Sequence, residues 1–259
     1  MTPLLDVRGL NKRFGGVVAT DHLDLEVRTG EIHALIGPNG AGKTTLVSQL
    51  SGQLRSDGGS VHFDGRDITR LVAHQRTRRG LVRSFQITRL FKSFTVLENL
   101  ALAVQAISGS SFAAWRPVHA EPGLFERAAA LLAELRLAEK GGSRIDELSH
   151  GEQRVLEVGL ALASRPRLLL LDEPMAGLGR EESAAMERLI AGLRGSTTVL
   201  LIEHDVDAVF RLADRVSVLV SGRVIASGDP AAVRGDPAVV AAYLGDSVGD
   251  SVADGAGHP

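Results

Sequence analysis

An α/β fold with a mainly parallel sheet is what this sequence predicts, and three of its features carry the prediction. Short apolar runs at Ile32–Ile36, Leu168–Leu171 and Thr198–Ile202 read as strands buried on both faces, because they do not alternate with polar residues. A segment of helical spacing comes after each of them. Between the first run and its helix lies a glycine-rich loop, Gly37-Pro38-Asn39-Gly40-Ala41-Gly42, the sequence of a sharp turn at the carboxyl edge of a sheet.

The elements follow in order. Leu23 to Arg28 alternates apolar and polar residues, as a half-buried strand does, and Gly30 separates it from the run Ile32–Ile36. Thr44 to Gln49 reads as the start of a helix, with Leu46 and Leu50 four apart and Gly52 near its end. Strand signals recur at Val61 to Phe63 and Leu81 to Phe85. After Gln86 the character changes: Val96 to Ile107 and Leu124 to Leu137 are rich in Leu and Ala at helical spacing, and a Gly-, Ser- and Pro-containing loop separates them. Residues 87 to 150 therefore read as a mostly helical insert. Helices near Glu152 to Ser164, Glu181 to Arg194 and Val206 to Ala213 then alternate with the later strands, including Val216 to Val220 and Val224 to Ala226. The small, polar tail from Asp246 is expected to be disordered.

Composition narrows the functional classes. The 259 residues allow one large or two small globular units, and 44% hydrophobic with 23% charged residues is ordinary for a folded protein. A formal net charge of -2 gives no global basic field for nucleic acid. There is no cysteine, which excludes disulfides and thiolate metal sites and fits a reducing cytosol. The opening MTPLLDVRGLNKRFGG is broken by Asp6, Arg8 and Lys12, so no signal peptide is expected there. No apolar stretch reaches the ~18 residues of a membrane-spanning helix, so any membrane association is expected to run through a partner.

Three motifs carry chemistry. Gly37 to Thr44 fits G-x-x-x-x-G-K-[ST] in full, between a predicted strand and a predicted helix. Glycines let the backbone curl so that several N–H groups point at one anion, and the helix N-terminus adds partial positive charge. Lys43 is suited to the β- and γ-phosphates of a nucleotide, and the Thr44 hydroxyl to magnesium. The alternative, a glycine-rich turn with a surface lysine, leaves the flanking strand and helix unexplained. Asp172 and Glu173 leave the strand Leu168–Leu171 at the sheet edge where ligands bind in open α/β folds. There the first acid is suited to holding Mg²⁺ and the second to orienting and deprotonating water. Ser149 and Glu152 have capping-box spacing, so a helix is expected to begin there. Ser149 and the N–H groups near Gly151 are equally suited to an anion, and spacing alone does not separate the two readings.

GPNGAGKTT at 37–45, Gln86, LSHGEQR at 148–154, LLLLDEP at 168–174 and His204 stand in the order seen in ABC ATPases, and LSHGE resembles the signature of that family. The resemblance covers roughly residues 4 to 245. It implies a P-loop NTPase fold over residues 1–245: a mainly parallel core sheet, an antiparallel N-terminal β subdomain, and a helical subdomain at 87–150 inserted in the core. It implies an ATP and Mg²⁺ site cradled by Gly37 through Lys43, Thr44 and Thr45, with Thr44, Gln86 and Asp172 toward the metal. Glu173 then resembles the general base, His204 the switch residue that contacts the γ-phosphate, and Phe14 the aromatic that stacks on adenine. A buried strand-end phenylalanine is the alternative for Phe14. In the family two such units pair head to tail around two ATP molecules, so Ser149 and Gly151 would contact the γ-phosphate of the partner's ATP.

The finer resemblance is to the ATPases of branched-chain amino-acid importers, the LivG-like subfamily, through FGGVVATDHLDLEV, EIHALIGPNGAGKTTL, RSFQITRLFKSFTVLENL and AYLG. It implies two transmembrane permease subunits as partners, a second ATPase that is a related chain or a copy of this one, and indirectly a solute-binding protein. It places the chain at the cytoplasmic face of the membrane. Urea and amide importers carry similar subunits. Soluble ABC ATPases usually carry coiled coils, zinc modules or duplicated ATPase units, which this sequence does not show. Gly179 stands where the family usually has Asp or Asn, which raises the further alternative of an ATP-binding scaffold without hydrolysis. His150 and Glu152 replace the usual Gly and Gln of the signature.

Overall fold

The computed structural model describes residues 3–84, 90–107 and 122–242. Its elements begin with β1 (Leu5–Phe14), β2 (Val17–Val27), β3 (Ile32–Ile36), α1 (Lys43–Leu50), β4 (Gly58–Phe63), β5 (Arg66–Asp67), α2 (Ala73–Thr77) and β6 (Leu81–Arg83). Then come α3 (Val96–Ile107), α4 (Pro122–Glu134), α5 (His150–Leu162), β7 (Leu168–Asp172), α6 (Arg180–Gly192) and β8 (Thr198–Ile202). The last are α7 (Val206–Leu212), β9 (Arg215–Val220), β10 (Arg223–Gly228) and α8 (Pro230–Arg234).

A six-stranded sheet of order β10-β9-β3-β8-β7-β6 forms the centre. Its neighbouring pairs from β9 to β6 are parallel, and only β10 runs antiparallel, on the edge. Every residue of β3, β7 and β8 is buried, as their mainly apolar sequences require, and the polar His33, Asp172 and Thr198 are buried with the rest. Successive side chains of β7 point to opposite faces. Leu168 and Leu170 join one apolar cluster with Leu46, Val47 and Leu50 of α1, while Leu169 and Leu171 join another with residues of α3, α4, α5 and α6. The sheet is therefore covered on both sides, and α1 lies between it and a second sheet, of antiparallel pairs in the order β2-β1-β4-β5.

The second sheet holds two strands that the sequence did not announce, β1 and the two-residue β5. In β1 the apolar alternation of Leu5 and Val7 slips before Leu10, because the pairing with β2 shifts register between Val7 and Leu10, around Gly9. The predicted strand at Leu81 is described as far as Arg83, while Phe85 and Gln86 lie outside the described residues, as do the loop around Trp115 and the tail from Asp246. The helix expected over Leu124 to Leu137 ends at Glu134, because Arg136 takes a left-handed φ of 58°.

Arg76 fixes the far end of α1. It is buried, and its guanidinium donates to the carbonyls of Gln49 and Leu50 at 2.9 and 2.7 Å, at the end of the helix where carbonyls lack intrahelical donors. It also donates to Leu71 and Thr69. Burial pushes its pKa down to about 10. Arg76→Met is expected to lower unfolding free energy by about 3 kcal/mol in a urea titration, because several buried carbonyls lose their donor at once. A change below about 1 kcal/mol would show that solvent replaces them without cost.

Candidate functional site

The site lies at the carboxyl ends of β3, β8 and β7, which are neighbours in the sheet. After Ile36 the chain turns through Gly37, Pro38, Asn39, Gly40 and Ala41 to Gly42, which caps α1 at a left-handed φ of 103°. The backbone of other strands presses on this loop from outside. A Cβ at Gly42 would lie 2.1 Å from the Ala19 carbonyl oxygen, and one at Gly37 equally close to that of Leu219. Only glycine fits either position. The Gly222 N–H donates to the Ala41 carbonyl at 2.8 Å and closes the same contact. The Lys43 ammonium folds into the loop and donates to the carbonyls of Gly37 and of Pro38, the latter at 2.9 Å. Asn39, Gly40 and Thr44 are exposed, and Thr45 is half-buried.

Asp172 ends β7 and is buried. Its Oδ2 accepts from Arg83 Nη2 at 2.6 Å, in an ion pair whose side chains are 4% and 9% exposed. Arg83 Nη1 also donates to Gln53 Oε1 at 2.7 Å and to Ser48 Oγ at 3.3 Å. The acid is thus tied to α1, one turn beyond Thr44. Residue types and spacing did not single out Arg83; its one signal was a charged residue inside a short apolar strand.

Glu173 follows at a left-handed φ of 49°, an unfavourable conformation for a non-glycine residue. Both of its backbone groups are held: its N–H donates to the Ile202 carbonyl at 2.9 Å, and its carbonyl accepts from Arg154 at 3.0 Å. The side chain is half-buried, with Oε1 3.9 Å from His204 Nδ1. His204, just after β8, is 62% exposed. Between them lies Glu203, buried and absent from the sequence reading. Its carboxylate accepts from the Met175 N–H at 2.9 Å and the His204 N–H at 3.3 Å, so it ties the loop after Glu173 to the histidine. Burial raises its pKa, and those two N–H groups only partly oppose the shift.

Ser149 caps α5 as its spacing predicts. Its Oγ accepts from the Glu152 N–H at 3.2 Å, and Glu152 accepts from the Ser149 N–H at 2.8 Å. Ser149 Oγ and the Gly151 N–H also donate to Glu182, on the first turn of α6. Phe14, at the end of β1, is 51% exposed with the Lys12 ammonium 5.4 Å from its ring centre. That exposure removes the alternative of a buried strand-end phenylalanine. Gln86 lies outside the described residues.

Comparison with known proteins follows the same residues. Residues 20–176, from β2 through the phosphate loop and α5 to the acidic pair, match the ABC transporter family. The chain belongs to the ABC transporter family. Residues 223–248 of this ABC protein match a second family, the branched-chain amino acid ATP-binding cassette transporters. It is 40% identical over 252 residues to the high-affinity branched-chain amino acid transport ATP-binding protein BraF of Pseudomonas aeruginosa, an alignment covering 95% of this chain and 99% of BraF. It is 41% identical over 254 residues to LivG of Salmonella typhimurium, described in the same words, at the same coverage. Among solved structures, an ATP-binding cassette of an ABC transporter in its ADP conformation superposes with a TM-score of 0.83 at 31% identity, covering 95% of this chain and 100% of that one. The ABC ATPase fold expected from the sequence is thus present, and nucleotide binding belongs to it.

Proposed function

We propose that this chain hydrolyses ATP to drive an importer of branched-chain or other amino acids. The observation that carries the reading is the convergence of Lys43, Asp172, Glu173 and His204 at the ends of three neighbouring strands, in a chain similar along 95% of its length to BraF and LivG. Gly37 to Gly42 would wrap the nucleotide phosphates with backbone N–H groups, and Lys43 would exchange its loop carbonyls for phosphate oxygens. Phe14 would stack on the base. Thr45 continues the cradle into α1, and Ser149 and Gly151 would reach the ATP of a second subunit.

The oxygen donors at the site suit magnesium. Thr44, Asp172 and Gln86 are the residues that would hold it. It supplies charge neutralisation at the phosphates; Glu173 would position the attacking water and take its proton, and His204 would bind the γ-phosphate.

No helix among the described residues is long and apolar enough to cross a membrane. The reading therefore assigns the membrane steps to two permease subunits, at whose cytoplasmic face this ATPase would sit with a second ATPase, a copy or a relative, and with a solute-binding protein acting on the far side. The docking patch is Phe91 and Phe94, exposed at 57% and 37% with ring centres 5.6 Å apart. In the sequence they follow closely on Gln86. Truncating both to alanine is expected to lower transport at least about tenfold while leaving ATP affinity within about twofold, because two aromatic anchors leave the interface and no residue assigned to the nucleotide changes. The test is uptake of labelled leucine, isoleucine and valine into cells with and without the chain. Loss of that uptake supports the reading, and loss of urea or amide uptake instead moves the cargo to those solutes. Uptake unchanged for all of them removes the importer role.

A further inference from the structure

The donors at the start of α5 already hold an anion, and it comes from the same chain. Ser149 Oγ and the Gly151 N–H converge on one oxygen, Oε1 of Glu182, at 3.1 and 3.0 Å. The other oxygen accepts from the Gly179 N–H at 3.3 Å. The fit is close: a Cβ at Gly151 would lie 2.5 Å from Glu182 Cδ, so glycine is what admits the carboxylate. The N–H groups of Gly151 and Gly179 and the Ser149 hydroxyl hold this carboxyl below the usual carboxylate range, so the group is an anion at neutral pH. The helix N-terminus behind these donors favours negative charge of either kind, carboxylate or phosphate.

We propose that Glu182 is an internal competitor for the anion site at the start of α5, which it must leave before the γ-phosphate of a second subunit's ATP enters. The proposal rests on the reading that Ser149 and Gly151 face that phosphate. Two anions do not share one pair of donors, since each repels the other and each needs the same N–H and O–H. Glu182 keeps a second attachment at Gly179, so its departure from Ser149 and Gly151 needs only a change in side-chain torsions. Gly179 stands in place of the Asp or Asn usual in the family, so no side chain from that position obstructs the change. The contact raises the ATP concentration needed to close the paired ATPases, in inverse proportion to the fraction of chains in which it is open.

The test uses the whole transporter assembly, purified with Glu173→Gln in this chain and the matching general-base glutamate of the second ATPase likewise replaced, so that ATP is retained at both sites, and titrates retention of labelled ATP. Glu182→Ala is expected to lower the half-saturating ATP concentration by about threefold to tenfold, the range for a contact made in most free molecules. Glu182→Gln is expected to lower it less, because the amide keeps an acceptor oxygen but not the charge. If the alanine variant misfolds, the glutamine variant decides alone. Half-saturation unchanged or raised in the folded variants, while Ser149→Arg abolishes retention, overturns the competitor role and leaves the phosphate reading intact. Retention that survives Ser149→Arg overturns that reading, and the competitor role with it.

Discussion

Replacing Glu173 with glutamine is expected to abolish turnover while sparing ATP binding. The side chain leaves a backbone fixed on both sides, at Ile202 and at Arg154, in a conformation that few non-glycine residues adopt. Strain kept at such a point indicates that the direction of the side chain matters. Glutamine has the same length and can still hydrogen-bond a water molecule, but it cannot take the proton. Loss of general-base assistance lowers hydrolysis about a hundredfold to ten-thousandfold. Phosphate release at saturating ATP measures the rate, and equilibrium binding of labelled ATP, unchanged within about threefold, separates chemistry from affinity. A hydrolysis rate within about twofold of the native chain would remove Glu173 from that role. It would also revive the scaffold alternative raised by Gly179.

Arg83→Met is expected to cost about 3–5 kcal/mol of folding stability, the range for removing one partner of a buried ion pair. Asp172 would be left charged inside the protein with its 2.6 Å partner gone, and Gln53 and Ser48 would lose a donor in the same step. The double variant with Asp172→Asn is expected to recover most of the loss, because no unpaired charge remains. Denaturant titration of the native chain, both single variants and the double variant measures this as a cycle. A cost below about 1 kcal/mol for Arg83→Met would mean that water reaches Asp172 and that Arg83 does not hold the acid in place.

What the sequence made legible was local. The mainly apolar runs became five-residue strands buried along their whole length, as the lack of polar alternation implies. The phosphate loop, the acidic pair and the capping box of Ser149 and Glu152 each span a few residues, and each has the backbone setting its spacing implies. What stayed hidden depends on chain segments far apart. Arg83 and Asp172 meet across 89 positions, Gly151 and Glu182 across 31, and Met175 and Glu203 across 28. No period or spacing encodes such contacts, since they exist only once the parallel strands and their helices have assembled. β1 was hidden for another reason: its register slip around Gly9 breaks the alternation by which a strand is read.

The central claim, that this ATPase works for a membrane transporter, is tested most directly by isolating the native chain from detergent-solubilised membranes and identifying what accompanies it by mass spectrometry. The account predicts two multi-span permeases, an ATPase partner and a solute-binding protein. Recovery in the soluble fraction alone, with nucleic-acid or ribosomal partners, would contradict it.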